Sequence, residues 1–170
     1  MPQKRIQLSL FIDASASASI EIIRATFNPE QYALIPAHVT LCREDELESI
    51  DKVLKNLQCL TQDSVKIDFG PVVQFSEGKG VLIPAIGPND SFHELRANIL
   101  HRIIKKPRIP EPHITLIHPR NATCTDEIFT EIAGYDLPNT IIFKKISLIE
   151  QEIGMKWYIL EEFHLKTPNQ

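Results

Sequence analysis

His38-Val39-Thr40-Leu41 returns in the second half of the chain as His113-Ile114-Thr115-Leu116. Each copy has the pattern of a short strand, the first introduced by Pro36. Working outward from the two copies gives the same order of elements twice. In the first half, Ile6, Leu8, Leu10 and Ile12 alternate with Gln7 and Ser9, so residues 5–12 read as a strand with one buried face. A helix follows over about 15–27, with Ile20, Ile23 and Phe27 at helical spacing, and Asn28-Pro29 ends it. After the motif strand His38–Cys42 comes an amphipathic helix carrying Leu47, Ile50, Val53, Leu54 and Leu57. Glu44, Asp45 and Glu46 stand at its start, where acids suit the positive end of the helix dipole. Strands at Val65–Phe69 and Val72–Phe75 close this half.

The second half opens with a strand at Gly80–Ile86, after the turn Glu77-Gly78-Lys79-Gly80. Ser91 and Glu94 have capping-box spacing and predict a helix carrying Phe92, Leu95, Ile99 and Ile103. A proline-rich basic loop, Lys105-Lys106-Pro107-Arg108-Ile109-Pro110, leads to the second motif strand. A helix near 125–134 and two strands, about 140–150 and 156–162, complete the chain. The repeat predicts one α+β domain over residues 1–170: a bilobal fold of two pseudo-symmetric lobes of antiparallel sheet, with flanking helices, around a central groove.

Bulk properties narrow the function. A chain of 170 residues, 43% hydrophobic, is large enough to bury a core without disulfides or metals. The net charge of −4 supplies no global basic field, which excludes a binder of long duplex nucleic acid but leaves a small ligand in a local pocket. Cys42, Cys59 and Cys124 are an odd number without C-x-x-C spacing, which points to a reduced, cytoplasmic protein and away from a cysteine zinc site. Lys4-Arg5, the apolar stretch after them and Ala14-Ser15-Ala16 form a crude likeness to a secretory signal, but the alternation from Ile6 to Ile12 is that of a strand. No apolar run is long enough to span a membrane, and a monomer is expected.

Residues i and i+2 of a strand share a face. His38 and Thr40 therefore point one way and Val39 and Leu41 the other; His113 and Thr115 repeat this over Ile114 and Leu116. Two such pairs facing each other across a groove suit phosphodiester chemistry. One neutral histidine takes a proton from water or a ribose hydroxyl while the other, protonated, gives one to the leaving oxygen. An ordinary histidine pKa of about 6.5 populates both forms near neutrality. The threonine hydroxyls donate to the non-bridging oxygens, where charge accumulates. No metal or other cofactor is required.

Ala37-His38-Val39-Thr40-Leu41 and Pro112-His113-Ile114-Thr115-Leu116 resemble the motifs of the two-histidine phosphoesterase superfamily, which includes 2′-5′ RNA ligases and 2′,3′-cyclic nucleotide phosphodiesterases. The order of elements resembles that fold over nearly the whole chain. The resemblance implies that His38 and His113 are the catalytic pair and that Thr40 and Thr115 hold the phosphate. It also implies a substrate that is a nucleotide or short RNA end carrying a 2′,3′-cyclic phosphate or a 2′-5′ linkage. Cys42-Arg43-Glu44 stands where that branch often has Phe-Leu-Gly, which points to a smaller-substrate branch and weighs against RNA ligation. The rival readings are a non-catalytic module that binds a nucleotide or RNA end, and a cyclic phosphodiesterase for a non-RNA substrate such as ADP-ribose cyclic phosphate.

Other residues are secondary candidates. Lys105, Lys106 and Arg108 precede the second motif, and Arg43 and Arg120 follow the motif strands, so each is placed to reach a phosphate or to lie in solvent. Phe11 shares the polar face of the first strand and could stack on a base or be covered by a neighbour. Trp157 and Tyr158 alternate, one toward the core and one toward the groove. His93 lacks the partner that an H-E-x-x-H zinc motif needs, His93 and His101 stand too far apart for one ion, and strand parity sends His118 to the face opposite His113, so no metal site is expected.

Overall fold

Alternation of apolar and polar residues forms β1 (Lys4–Phe11), in which Leu8 and Leu10 are fully buried. The computed structural model describes residues 2–167. Helix α1 (Ala14–Phe27) ends at Asn28, and Pro29 at once opens a second helix, α2 (Pro29–Leu34). Proline lacks the N–H that a continuing helix needs but fits a first helical turn, so one residue both ends α1 and starts α2. The chain continues through β2 (His38–Cys42), α3 (Ile50–Gln58), β3 (Val65–Phe69), β4 (Val73–Phe75) and β5 (Gly80–Ile86). It closes with α4 (Asp90–Ile99), β6 (His113–Ile117), α5 (Asp126–Ala133), β7 (Thr140–Phe143), β8 (Lys145–Glu152) and β9 (Tyr158–His164).

The fold is α+β. Its antiparallel sheet runs β7-β3-β5-β6-β2-β1-β8-β9, with β4 pairing β5 beside β3. The order is symmetric about the β6–β2 junction, where Val39 lies opposite Ile114. On either side stands a strand-helix-strand unit whose two strands are neighbours, β1-α1-β2 and β5-α4-β6. The lobes are not the two halves of the sequence, however. β3, from the first half, pairs with β5, while β8, from the second, pairs with β1. The stretch expected as one strand over 140–150 breaks at Lys144, and that break carries the chain from β7 in one lobe to β8 in the other.

A single core cluster joins the lobes. Val39 and Leu41 of β2, Ile114 and Leu116 of β6, Ile20 and Ile23 of α1, Val53 and Leu57 of α3, and Phe92, Leu95 and Ile99 of α4 all belong to it. No helix among the described residues is long and apolar enough to cross a membrane.

Two local expectations are corrected. Helix α4 starts at Asp90 and is preceded by Asn89 in a left-handed conformation, so Ser91 lies inside the first turn and forms no capping box. The acids before α3 do not complement its dipole. They form a separate 3-10 turn, Glu44–Glu46, and Glu46 is buried beneath Arg96 of α4. Arg96 donates to both Glu46 carboxylate oxygens, at 3.1 and 2.6 Å, and Arg108 adds a bond at 3.1 Å. A buried carboxylate is tolerated only with such partners, and here they tie the basic loop and α4 to the end of β2.

Candidate active site

Burial of Val39, Leu41, Ile114 and Leu116 turns His38, Thr40, His113 and Thr115 to the opposite face of the sheet. Continuing the antiparallel register from Val39–Ile114 sets His38 opposite Thr115 and Thr40 opposite His113. Each imidazole thus stands across from the other motif's hydroxyl. All four line one cavity of about 200 Å³.

The two rings are held alike. Nδ1 of His38 lies 2.8 Å from the Pro36 carbonyl, and Nδ1 of His113 lies 3.0 Å from that of Glu111. A carbonyl only accepts, so Nδ1 carries the hydrogen in both rings and the neutral form keeps its lone pair on Nε2. The Thr40 hydroxyl is held as well. Gln7 Nε2 donates to it at 3.2 Å and to Ser9 Oγ at 2.7 Å. With its oxygen accepting from Gln7, Thr40 keeps its own hydrogen for another acceptor.

His38 is further shaped by Arg24. This arginine of α1 is buried, donates to the Ile35 carbonyl at 2.6 Å, pairs with Glu21 and borders the cavity. Burial of the imidazole, aided by the positive charges of Arg24 and His113 and opposed by the bond to Pro36, lowers the His38 pKa from 6.5 to about 4. The ring is therefore neutral at pH 7. Phe11 packs edge-on against His38, ring centroids 5.9 Å apart, and so covers the imidazole.

A second wall consists of Arg5, His118, Arg120 and Trp157. Here the parity reading of His118 fails. Strand β6 stops at Ile117, alternation no longer applies beyond it, and His118 joins the same cavity as His113. Asn28, fully buried where α1 meets α2, holds that turn. Its Oδ1 accepts from the His118 backbone N–H at 2.8 Å, and its Nδ2 donates to Asn121, which donates in turn to Gln31 of α2. Trp157 faces the cavity with the Arg5 guanidinium 5.1 Å from its ring centroid, whereas Tyr158 is exposed.

The other candidates lie elsewhere. Arg43 borders an adjoining cleft and pairs with Asp45; Lys105 lines a separate depression; Arg108 is engaged with Glu46. His93 packs against Phe92. Among the described residues no three His, Cys, Asp or Glu side chains gather as a metal-binding group. The cavity thus combines two imidazoles with Nε2 available, two hydroxyls and flanking guanidinium groups, a set matched to a phosphate diester. Sequence reasoning does not single out Arg5, Gln7 and Arg24 as site residues. Signals for them exist: Arg5 and Gln7 share the polar parity of β1, and Arg24 interrupts the apolar stripe of α1.

A sequence profile described as the 2′-5′ RNA ligase superfamily matches residues 12–154. No curated protein matches the sequence. Among solved structures, E. coli LigT in apo form is 16% identical with a TM-score of 0.70, covering 97% of this chain and 99% of LigT. E. coli LigT complexed with 3′-AMP is 18% identical with a TM-score of 0.68, covering 98% and 100%. A protein of Thermus thermophilus is 14% identical with a TM-score of 0.62, covering 97% and 100%. At these identities the likeness is one of fold.

Proposed function

The chain belongs to the 2′-5′ RNA ligase superfamily, and from that premise we propose that it is a metal-independent phosphoesterase acting on a 2′,3′-cyclic phosphate or 2′-5′ phosphodiester of a nucleotide or short RNA end. The observation that carries the reading is the meeting of both His-x-Thr pairs in one cavity, each imidazole anchored through Nδ1 to the carbonyl two residues upstream. The 3′-AMP complex of LigT supports a nucleotide as the ligand class. The three unpaired cysteines support a cytosolic setting, and a monomer suffices for the site.

In hydrolysis of a cyclic phosphate, Nε2 of His38 takes a proton from water and the water oxygen forms a bond to phosphorus. The bond from phosphorus to one ribose oxygen breaks, and that oxygen takes a proton from His113, which enters the step protonated. Thr40 and Thr115 donate to the non-bridging oxygens as charge builds on them. His38 receives the role of base because its resting form is neutral.

The test is turnover of a panel of 2′,3′-cyclic mononucleotides in excess EDTA, beside the His38→Ala/His113→Ala double variant. Product from the natural protein and none from the variant is expected, and the position of the product phosphate shows which bond breaks. Undiminished turnover by the double variant refutes the two-histidine reading, and no turnover of any cyclic nucleotide refutes its cyclic-mononucleotide arm and moves the test to 2′-5′-linked dinucleotides.

A further inference from the structure

Beyond the histidine–threonine quartet, the cavity gathers more positive charge than one phosphodiester uses. Arg24 is committed to Glu21. Arg5 and Arg120 pair with no carboxylate among the described residues. Arg5 donates through Nε to the neutral Gln151 at 2.7 Å and lays its guanidinium over Trp157.

His118 and Arg120 meet in an arrangement that favours a shared acceptor. The Arg120 backbone N–H lies 3.2 Å from His118 Nδ1. The other ring nitrogen, Nε2, lies 3.0 Å from Arg120 Nη2, and both Arg120 groups are always donors. A neutral imidazole accepts at only one nitrogen, so in either tautomer one ring N–H faces an Arg120 donor, and an anionic oxygen accepting from both groups relieves that contact. Burial, with the charges of Arg120 and Arg5, holds His118 below the ordinary histidine range; burial and Arg5 likewise lower Arg120. The three groups feel one another, and a bound anion offsets their repulsion.

We propose that Arg5, His118 and Arg120 form a second anion subsite, which takes another phosphate of the same nucleotide whose reacting phosphodiester lies at the quartet. The inference rests on the phosphoesterase reading and narrows its substrate to a nucleotide bearing two phosphate groups. Arg5, Gln7 and Trp157 also border the adjoining cleft of about 390 Å³, which gives the rest of such a molecule a place to lie. The next cation along that cleft, Arg43, is already paired with Asp45 at 3.1 Å, and Glu44 adds negative charge. The run of available cations therefore ends at the second phosphate and does not continue as a track for a polynucleotide. Arg5 and Trp157 lie outside the residues 12–154 that mark the superfamily, so membership alone does not supply this wall.

The experiment is calorimetric titration with adenosine 2′- and 3′-monophosphates and with the corresponding 2′,5′- and 3′,5′-bisphosphates. The proteins compared are the natural one, Arg5→Gln, Arg120→Gln, and Lys66→Gln on β3 as a control for overall charge. At least one bisphosphate is expected to bind the natural protein and Lys66→Gln about tenfold or more tightly than its monophosphate. That margin should fall toward one in Arg5→Gln and Arg120→Gln. Equal affinities in the natural protein, or a margin unchanged in both arginine variants, overturns the subsite while leaving the phosphoesterase reading to its own turnover assay. Failure of all four nucleotides to bind likewise overturns the subsite, and the turnover assay decides the phosphoesterase reading separately.

Discussion

Replacing His38 with glutamine should flatten the acid side of the protein's stability curve. An unfolded histidine titrates near 6.5, whereas His38 in the folded chain is lowered to about 4. Between these values the folded state binds fewer protons than the unfolded state, so stability falls as pH falls. The loss begins near pH 6.5 and is complete below about 4. At 1.36 kcal/mol per pH unit it amounts to about 3 kcal/mol in all, and about 2 kcal/mol at pH 5. Glutamine does not titrate and carries no such loss. Urea unfolding of both proteins at pH 7 and pH 5 isolates the effect, because each protein is compared with itself and any constant change in packing cancels. His118, also lowered by burial, and Glu46, whose partners outweigh the upward push of burial, titrate in both proteins and cancel too. The natural protein should lose about 2 kcal/mol more than His38→Gln on going to pH 5. Equal losses would refute a neutral, partly buried His38 and with it the reason for making this residue the base.

Three further outcomes follow from the same contacts. Glu46→Ala leaves Arg96 buried without its carboxylate, which should cost about 3–5 kcal/mol and lower the melting temperature on the order of 10 °C in a thermal scan; a shift within error would mean that the ion cluster does not hold the loop. Gln7→Leu removes the donor that orients Thr40, so kcat on a cyclic nucleotide should drop roughly tenfold while KM moves little, measured by initial rates; unchanged kcat would argue against a phosphate-holding Thr40. Cys59 is exposed, whereas burial pushes the Cys42 thiol up to about 12 and also raises Cys124. One thiol should therefore react promptly with Ellman's reagent in the native protein and three in urea, and prompt reaction of more than one native thiol would contradict the packing around Cys42 or Cys124.

What the sequence discloses and what it hides divide along a physical line. Strand parity is local, so the shared face of His38, Thr40, His113 and Thr115 is legible in the residues alone, as are the elements that carry them. Parity ends where a strand ends, which is why alternation puts His118, one residue beyond β6, on the wrong face. The exchange of β3 and β8 between lobes leaves no local trace, because it depends on which edge offers the better partner. Glu46 misleads for the same reason. Its partner Arg96 lies on another helix, and only folding shows that the acid answers a buried cation and not a helix dipole.

The buried arginines also explain why a duplicated motif need not give duplicate histidines. Each strand-helix-strand unit buries one arginine on its helix, Arg24 on α1 and Arg96 on α4. Each donates to a backbone carbonyl near the first motif strand, Arg24 to Ile35 and Arg96 to Leu41. Arg24, however, borders the cavity that holds both motif histidines and adds its charge to the burial that keeps His38 neutral, while Arg96 is engaged with Glu46. Of the two helix arginines, only Arg24 therefore acts on a motif imidazole, and it acts on His38. The motifs alone make the two histidines equivalent, and the asymmetry that a base and an acid require comes from what packs around them. Arg24→Met tests this division, with the His38 titration followed by NMR. Removing the Arg24 charge should move the His38 pKa upward from about 4, and no movement would show that the guanidinium has no part in keeping the ring neutral.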